Sequence, residues 1–242
     1  MISKLRQWTR ARRRRLFENF LPEERPLRIV DLGGTVPFWR AFGLSPAHGI
    51  HVTLINTHAH DTTAAGIPDN SGLIDDRDMD ANDVTTDYLR SFDLIFSNSF
   101  LEHLGSREEQ SALATQICDS GVSYFIQTPN KHSPVDPHFP SPLAPFFAAY
   151  PKPLQAWMLS HSKLGSGAKS PNFAEALDRL RYYNPLGLAD MRALFPDAQL
   201  VTERPAGVPM SVIARRARWK QGAANANSAS KSEPGKPVKI VA

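Results

Sequence analysis

The stretch Leu27-Arg28-Ile29-Val30-Asp31-Leu32-Gly33-Gly34-Thr35-Val36-Pro37-Phe38-Trp39 decides how this chain of 242 residues folds. The apolar run from Leu27 to Leu32 predicts a buried strand with Asp31 near its end. Gly33-Gly34 breaks the strand. Pro37 predicts a helix start, because its missing N–H costs nothing in the first turn. A strand, a glycine turn and a helix are how an α/β sheet builds a ligand site at the carboxyl ends of its strands. Glycines let backbone approach a ligand closely, and a helix N-terminus adds free donors.

The turn excludes two ligand classes. A dinucleotide fingerprint needs Gly-x-Gly-x-x-Gly, but from Gly33 the third and sixth positions are Thr35 and Phe38. A phosphate loop needs a closing Gly-Lys-Ser/Thr, which is absent. A carboxylate at a strand tip beside a glycine turn remains, and it suits a cofactor with a cationic end.

A second stretch, Phe92-Asp-Leu-Ile-Phe-Ser-Asn-Ser-Phe-Leu-Glu-His-Leu104, reads as a buried strand from Phe92 to Phe96. Ser97-Asn98-Ser99 ends it, and Glu102 and His103 stand where a helix would begin. The two stretches resemble motifs I and IV of the class I S-adenosylmethionine (SAM) methyltransferases, and the run Phe-Ile-Gln-Thr-Pro-Asn-x-x-x-Pro-x-x-Pro-His-Phe over 125–139 resembles a bacterial type 11-like subgroup of them. The resemblance implies an α/β fold: a Rossmann-like seven-stranded sheet, mostly parallel, with a C-terminal antiparallel hairpin and helices on both faces. It implies that Asp31, Gly33 and Gly34 face the methionine part of SAM and that the Ser97/Asn98 tip contacts the methionine amine. Asn56, ending the predicted strand Ile50–Asn56, falls on the ribose position, and Asp75 or Asp76, ending a short predicted third strand Leu73-Ile74-Asp75-Asp76, on the adenine position. His103 falls on the substrate side as first candidate for a catalytic base, with His138 as second. The chain departs from the pattern at Thr35 and Pro37, where glycines are usual, and at Asn56, where a carboxylate is usual. Each residue also has a plainer reading: Asn56 as a turn former, Asp75 and Asp76 as a surface turn, His103 as a packing histidine.

Residues 1–21 read as a basic helix with Arg10 and Arg12 to Arg15 as its charge run. Its Phe17/Phe20/Leu21 end is expected to lie on the domain and leave the arginines solvated; the other reading is an anchor at an anionic membrane surface with Trp8 at the interface. Residues 107–119 predict an amphipathic helix, and Val122 to Thr128 a strand. Residues 129–153 hold eight prolines among aromatics, stiff chain that forms a candidate substrate wall with Gln127, Asn130, Asp136 and His138. Leu143 to Leu164 predict two short helices broken at Pro151-Lys-Pro153, and Asn184-Pro185 predict a helix start. Gln199–Glu203 and Pro209–Arg215 predict the final hairpin. The expected organisation is a basic helix over 1–25, a methyltransferase domain over 26–216 with a lid insertion at about 129–183, and a disordered tail over 217–242.

The formal net charge of +4 hides an uneven distribution, since the acidic body carries the deficit and both ends are basic. A nucleic-acid enzyme carries its basic face on the folded body, so nucleic acid is not the expected substrate. One cysteine, Cys118, excludes an internal disulfide and suits a reducing compartment. No apolar run is long enough to span a bilayer, and the expected location is the cytoplasm, with a peripheral contact at the inner membrane face as the further reading. His58, His60 and Asp61 lie in a polar loop and no metal site is expected. The expected function is methyl transfer from SAM to a small-molecule, sugar or lipid-linked acceptor. A non-catalytic SAM-binding regulatory or scaffolding protein at a membrane surface is the alternative.

Overall fold

The computed structural model describes residues 11–43, 45–57, 72–136, 138–139, 144–164 and 169–219. Seven strands form one sheet: β1 (Leu27–Leu32), β2 (Ile50–Asn56), β3 (Ile74–Asp78), β4 (Leu94–Asn98), β5 (Ser123–Pro129), β6 (Gln199–Glu203) and β7 (Ser211–Arg216). Their order is β3-β2-β1-β4-β5-β7-β6. β1 to β5 pair in parallel, and β7 runs antiparallel to both β5 and β6.

Side chains alternate along each strand, so one sheet needs a cover on both faces. On one face Val30, Leu32, Ile95, Tyr124 and Ile126 pack with α3 (Thr86–Leu89), α4 (Arg107–Asp119) and α7 (Leu188–Leu194). On the other, Leu27, Ile29, Leu54, Leu94, Phe96 and Phe125 pack with a helix over residues 11–18, here α1, and with α2 (Val36–Phe42). Phe17 of α1 is 1% exposed and its ring meets Phe96 at 4.6 Å and Phe125 at 5.2 Å. Burying a phenylalanine this fully contributes roughly 1.5–3 kcal/mol, enough to hold a short helix on the sheet. A third, separate cluster joins α5 (Lys152–His161) and α6 (Phe173–Arg179) around Phe139, Phe147 and Tyr183.

Local sequence explains most boundaries. Thr35 caps α2 by accepting from the Phe38 backbone N–H, Pro37 lies in its first turn, and Gly43 at φ 81° ends it. Ser106 caps α4 through the Glu109 N–H. Four expectations shift. The third strand continues through Asp75 and Asp76 to Asp78, because each residue to that point gains a parallel partner on β2, ending with Asn56 opposite Asp78. α7 starts at Leu188 rather than at Pro185, since the Asn184 side-chain oxygen accepts from Lys152 and the Gly187 N–H donates to Asp190. Pro151 and Pro153 stand at the start of α5 and do not divide two helices; a short 3₁₀ turn, Phe147–Ala149, precedes them. Residues 217–219 pack against the body: the Arg218 N–H donates to Ser123 and the Trp219 ring meets Phe20 at 5.3 Å. Trp8, His58, His60, Asp61 and residues 220–242 lie outside the described residues.

Candidate functional site

β1 delivers Asp31 to the sheet centre, between Leu54 of β2 and Phe96 of β4. Its side chain points to the α2 face, where Oδ2 accepts from the Trp39 indole N–H at 2.7 Å. Asp31 is 1% exposed, and among the described residues its buried Oδ1 has no hydrogen-bond partner. Burial without a neighbouring cation pushes its carboxyl up to about 8, against the smaller downward pull of the Trp39 bond. Gly34 lies directly on it: a Cβ there would stand 1.9 Å from Asp31 Oδ2. Gly33, at φ +74°, is roofed by Phe100, whose ring would stand 2.1 Å from a Cβ.

β4 leads from this turn to the second part of the site. The Ser97 hydroxyl donates to the Leu32 carbonyl at 3.0 Å, tying the two strand tips together. Ser99 takes a positive φ of 59°, unusual for a residue with a side chain. It is held there by Gln127, whose carbonyl accepts the Ser99 N–H at 2.9 Å and whose side-chain oxygen accepts the hydroxyl at 3.0 Å. This reversal directs the chain into a 3₁₀ turn, Leu101–His103.

There the chain assembles a polar cluster. His103 Nε2 stands 3.0 Å from His138 Nε2. His138 Nδ1 faces Asp136 Oδ1 at 3.2 Å, and the Tyr183 hydroxyl donates to the other Asp136 oxygen. His103 Nδ1 faces the Tyr182 carbonyl at 3.3 Å. Glu102, 1% exposed, accepts the Thr128 hydroxyl at Oε2 (3.0 Å), while its Oε1 lies 3.9 Å from His138 Nε2. Burial pushes Glu102 up to about 7. Burial and the His138 charge lower His103. For His138 burial works against the charged form, but the Asp136 bond and the Glu102 and Asp136 carboxylates outweigh it and raise the ring. The two shifts run in opposite directions, so His138 is the more basic ring of the pair.

A cavity of about 580 Å³ opens beside β4, lined by Arg13 and Phe17 of α1, Thr35 and Phe38 at the start of α2, and Phe96 and Asn98. Arg13 closes one side: its guanidinium donates to Asn98 Oδ1 at 2.8 Å and pairs with Glu203 at 2.8 Å. The arginine run is thus not wholly solvated, contrary to expectation.

No protein-family model matches the chain, and no curated protein does. Solved structures do. A Bordetella parapertussis protein described as exported superposes with a TM-score of 0.53 at 17% identity, over 86% of this chain and 67% of its own. A Rhodobacter sphaeroides protein described as a zinc-dependent alcohol dehydrogenase gives 0.52 at 14%, over 82% and 86%. A Listeria monocytogenes protein described as a SAM-dependent methyltransferase gives 0.50 at 13%, over 83% and 96%. At these identities the likeness is one of fold. The sheet distinguishes among such folds: a dinucleotide-binding sheet runs 3-2-1-4-5-6, whereas here antiparallel β7 is wedged between β5 and β6. The fold is that of the class I methyltransferases.

On a methyltransferase sheet the residues assigned from sequence separate into three groups. Asp31, Gly33, Gly34, Ser97 and Asn98 come together at the β1 and β4 tips. Asn56 reaches the same turn, but its amide N–H donates to the Gly34 carbonyl at 2.9 Å, so it braces the turn. Asp75 and Asp76 do not end their strand. Asp75 is exposed and paired with Arg77 at 2.7 Å, Asp76 lies mid-strand, and Asp78 holds the tip beside Asn56. His103 and His138, proposed separately, meet. Of the expected substrate wall, Gln127 and Asn130 are spent on the chain itself, at Ser99 and at the His132 N–H. Nothing local in the sequence marks Glu102, Thr128 or Tyr183 as part of this network; the Asp136-x-His138 spacing is its one local signal.

SAM, which the fold implies, finds a partial match in these residues. The unpartnered buried oxygen of Asp31 suits a cationic amine, and the cavity beside Asn98 has the volume of a small-molecule site.

Proposed function

We propose that the chain is a SAM-dependent methyltransferase acting on a hydroxyl or amine of a small molecule, or of a sugar or lipid-linked intermediate. The observation that carries the reading is the joining of two things on one sheet: a buried carboxyl oxygen at the β1 tip with no partner among the described residues, and a histidine pair just beyond the β4 tip whose facing nitrogens can share one proton. When bound, SAM supplies a methyl group on a sulfonium already activated for displacement. Asp31 and the backbone at Gly33 and Asn98 would hold its methionine end, and Asn56 and Asp78 stand at the neighbouring strand tips for its ribose and adenine.

The chain's own residues then do what the cofactor does not. The Asp136–His138–His103 series can take one proton between the two facing Nε2 atoms, with the charge favoured on His138, the ring that Asp136 supports. Tyr183 fixes Asp136, and through it the His138 ring. α5 and α6 share a core with Tyr183, which ties them to the Asp136 side of this cluster as a lid candidate. A non-catalytic scaffold has no use for two facing histidines backed by buried carboxyls, which favours the enzyme.

The test is calorimetric titration of the purified chain with S-adenosylhomocysteine, with NAD as control. Micromolar binding of the first alone is expected. Binding of NAD, or of neither, would overturn the reading.

A further inference from the structure

We propose that Glu102, His103 and His138 bind a divalent transition-metal cation of the zinc type. One donor atom from each residue lies within 4.8 Å of the other two. This goes beyond the methyltransferase reading and does not rest on it.

The Tyr182 carbonyl can only accept, so the His103 nitrogen facing it carries the hydrogen. The Asp136 carboxylate likewise requires a hydrogen on His138 Nδ1. In neutral rings both Nε2 atoms are then bare, and their lone pairs face each other at 3.0 Å. Two lone pairs at that distance repel unless a cation stands between them or beside them. A proton is one such cation and a metal ion is the other.

Glu102 decides between them. Its Oε1 is buried, has no hydrogen-bond partner among the described residues, and lies 3.9 Å from His138 Nε2. A proton shared by the two rings leaves that oxygen unsatisfied. A metal ion uses it as a third ligand. Zinc binds histidine nitrogen at about 2.0–2.1 Å, so nitrogens this close can share one ion. Two imidazoles and one carboxylate favour zinc, iron or manganese over magnesium and calcium, which take oxygen ligands.

The atoms that do not coordinate are also those held by neighbours. His138 Nδ1 is held by Asp136, His103 Nδ1 by Tyr182, and Glu102 Oε2 by Thr128. Such outer partners orient ligands and raise their basicity. Three protein ligands with one of them, His103, exposed leave coordination positions open to water or substrate. An acceptor hydroxyl on the cation would lose its proton more readily, replacing the histidine pair in that role.

The experiment uses the full chain, stripped with a chelator and titrated with zinc chloride against a chromophoric chelator, then with cobalt(II) to read its visible spectrum. One equivalent of zinc with a micromolar or tighter Kd is expected, with cobalt bands of a low-coordinate nitrogen/oxygen site. His103→Ala removes an exposed ring and should weaken binding at least tenfold, as should Glu102→Gln. Asp136→Asn should weaken it about tenfold through His138. His51→Ala, on an exposed strand position, should leave it unchanged. Circular dichroism of each variant checks that it folds. Zinc binding weaker than 100 μM would leave the proton as the bridging cation and overturn the proposal. So would stoichiometric binding that survives both His103→Ala and Glu102→Gln. The homocysteine-analogue titration on the same samples is read separately, so failure of either proposal leaves the other standing.

Discussion

Gly33 and Gly34 make room for two side chains of the same protein, Phe100 and Asp31. A Cβ at Gly33 would carry two penalties: a left-handed backbone, costing about 1–2 kcal/mol, and overlap with the Phe100 ring. Gly33→Ala should therefore lower stability by about 2–4 kcal/mol in urea unfolding. In a Phe100→Ala background the overlap is gone, and the same substitution should cost only about 1–2 kcal/mol. Equal costs in both backgrounds would mean that the ring does not roof the turn. The sequence shows that a glycine pair permits close approach, and no local pattern says what approaches. Phe100 and Gly33 meet only because β1 and β4 are neighbours in the sheet. For the same reason His103 and His138 read as two separate candidates until folding brought their rings together.

At the scale of elements, α1 is fastened by Arg13 as much as by Phe17. Arg13 bridges Asn98 of β4, Glu203 of β6 and Ser211 of β7. Glu203 is 1% exposed, and without Arg13 its charge would be buried unpaired. Removing one partner of a fully buried pair costs about 3–5 kcal/mol. Arg13 keeps some solvent contact, so Arg13→Ala should cost about 2–3 kcal/mol. Glu203→Gln in that background should restore at least half, because it removes the stranded charge and keeps an acceptor for Ser211. A double-mutant cycle by chemical denaturation reads the coupling; additive losses would show that the two groups act independently. Elements whose limits are set by their own residues, such as β1, β2 and α4, were legible from apolar runs and caps. The end of β3 and the start of α7 were not, because one depends on a strand partner and the other on a capping oxygen taken by the distant Lys152.

For the whole molecule, the order of strands and helices was readable because a buried parallel sheet writes itself as continuous apolar runs. Among the described residues no helix is long and apolar enough to cross a membrane. The charge distribution was readable too, but the consequence of burying an acid at the sheet centre was not. Asp31 has its carboxyl raised to about 8 in the folded chain, against 3.8 as its ordinary value. Between those values the folded state holds a proton that the unfolded state has released, so stability falls as pH rises. Asp190 and Asp197 are shifted downward by hydrogen bonds and cationic partners that outweigh partial burial, and they cost stability only on acidification below the ordinary carboxyl range. Maximal stability is therefore expected on the mildly acidic side. Asp31→Asn keeps an oxygen for the Trp39 indole and removes the ionisation. Its melting temperature should match the parent chain near pH 5 and exceed it by several degrees at pH 8.5, since each pKa unit carries about 1.4 kcal/mol. Thermal unfolding of both proteins across that range, in chelator, isolates the Asp31 contribution as the difference between the curves. Parallel curves would mean that Asp31 is ionised at neutral pH in the fold, and that some cation not seen here already faces its free oxygen.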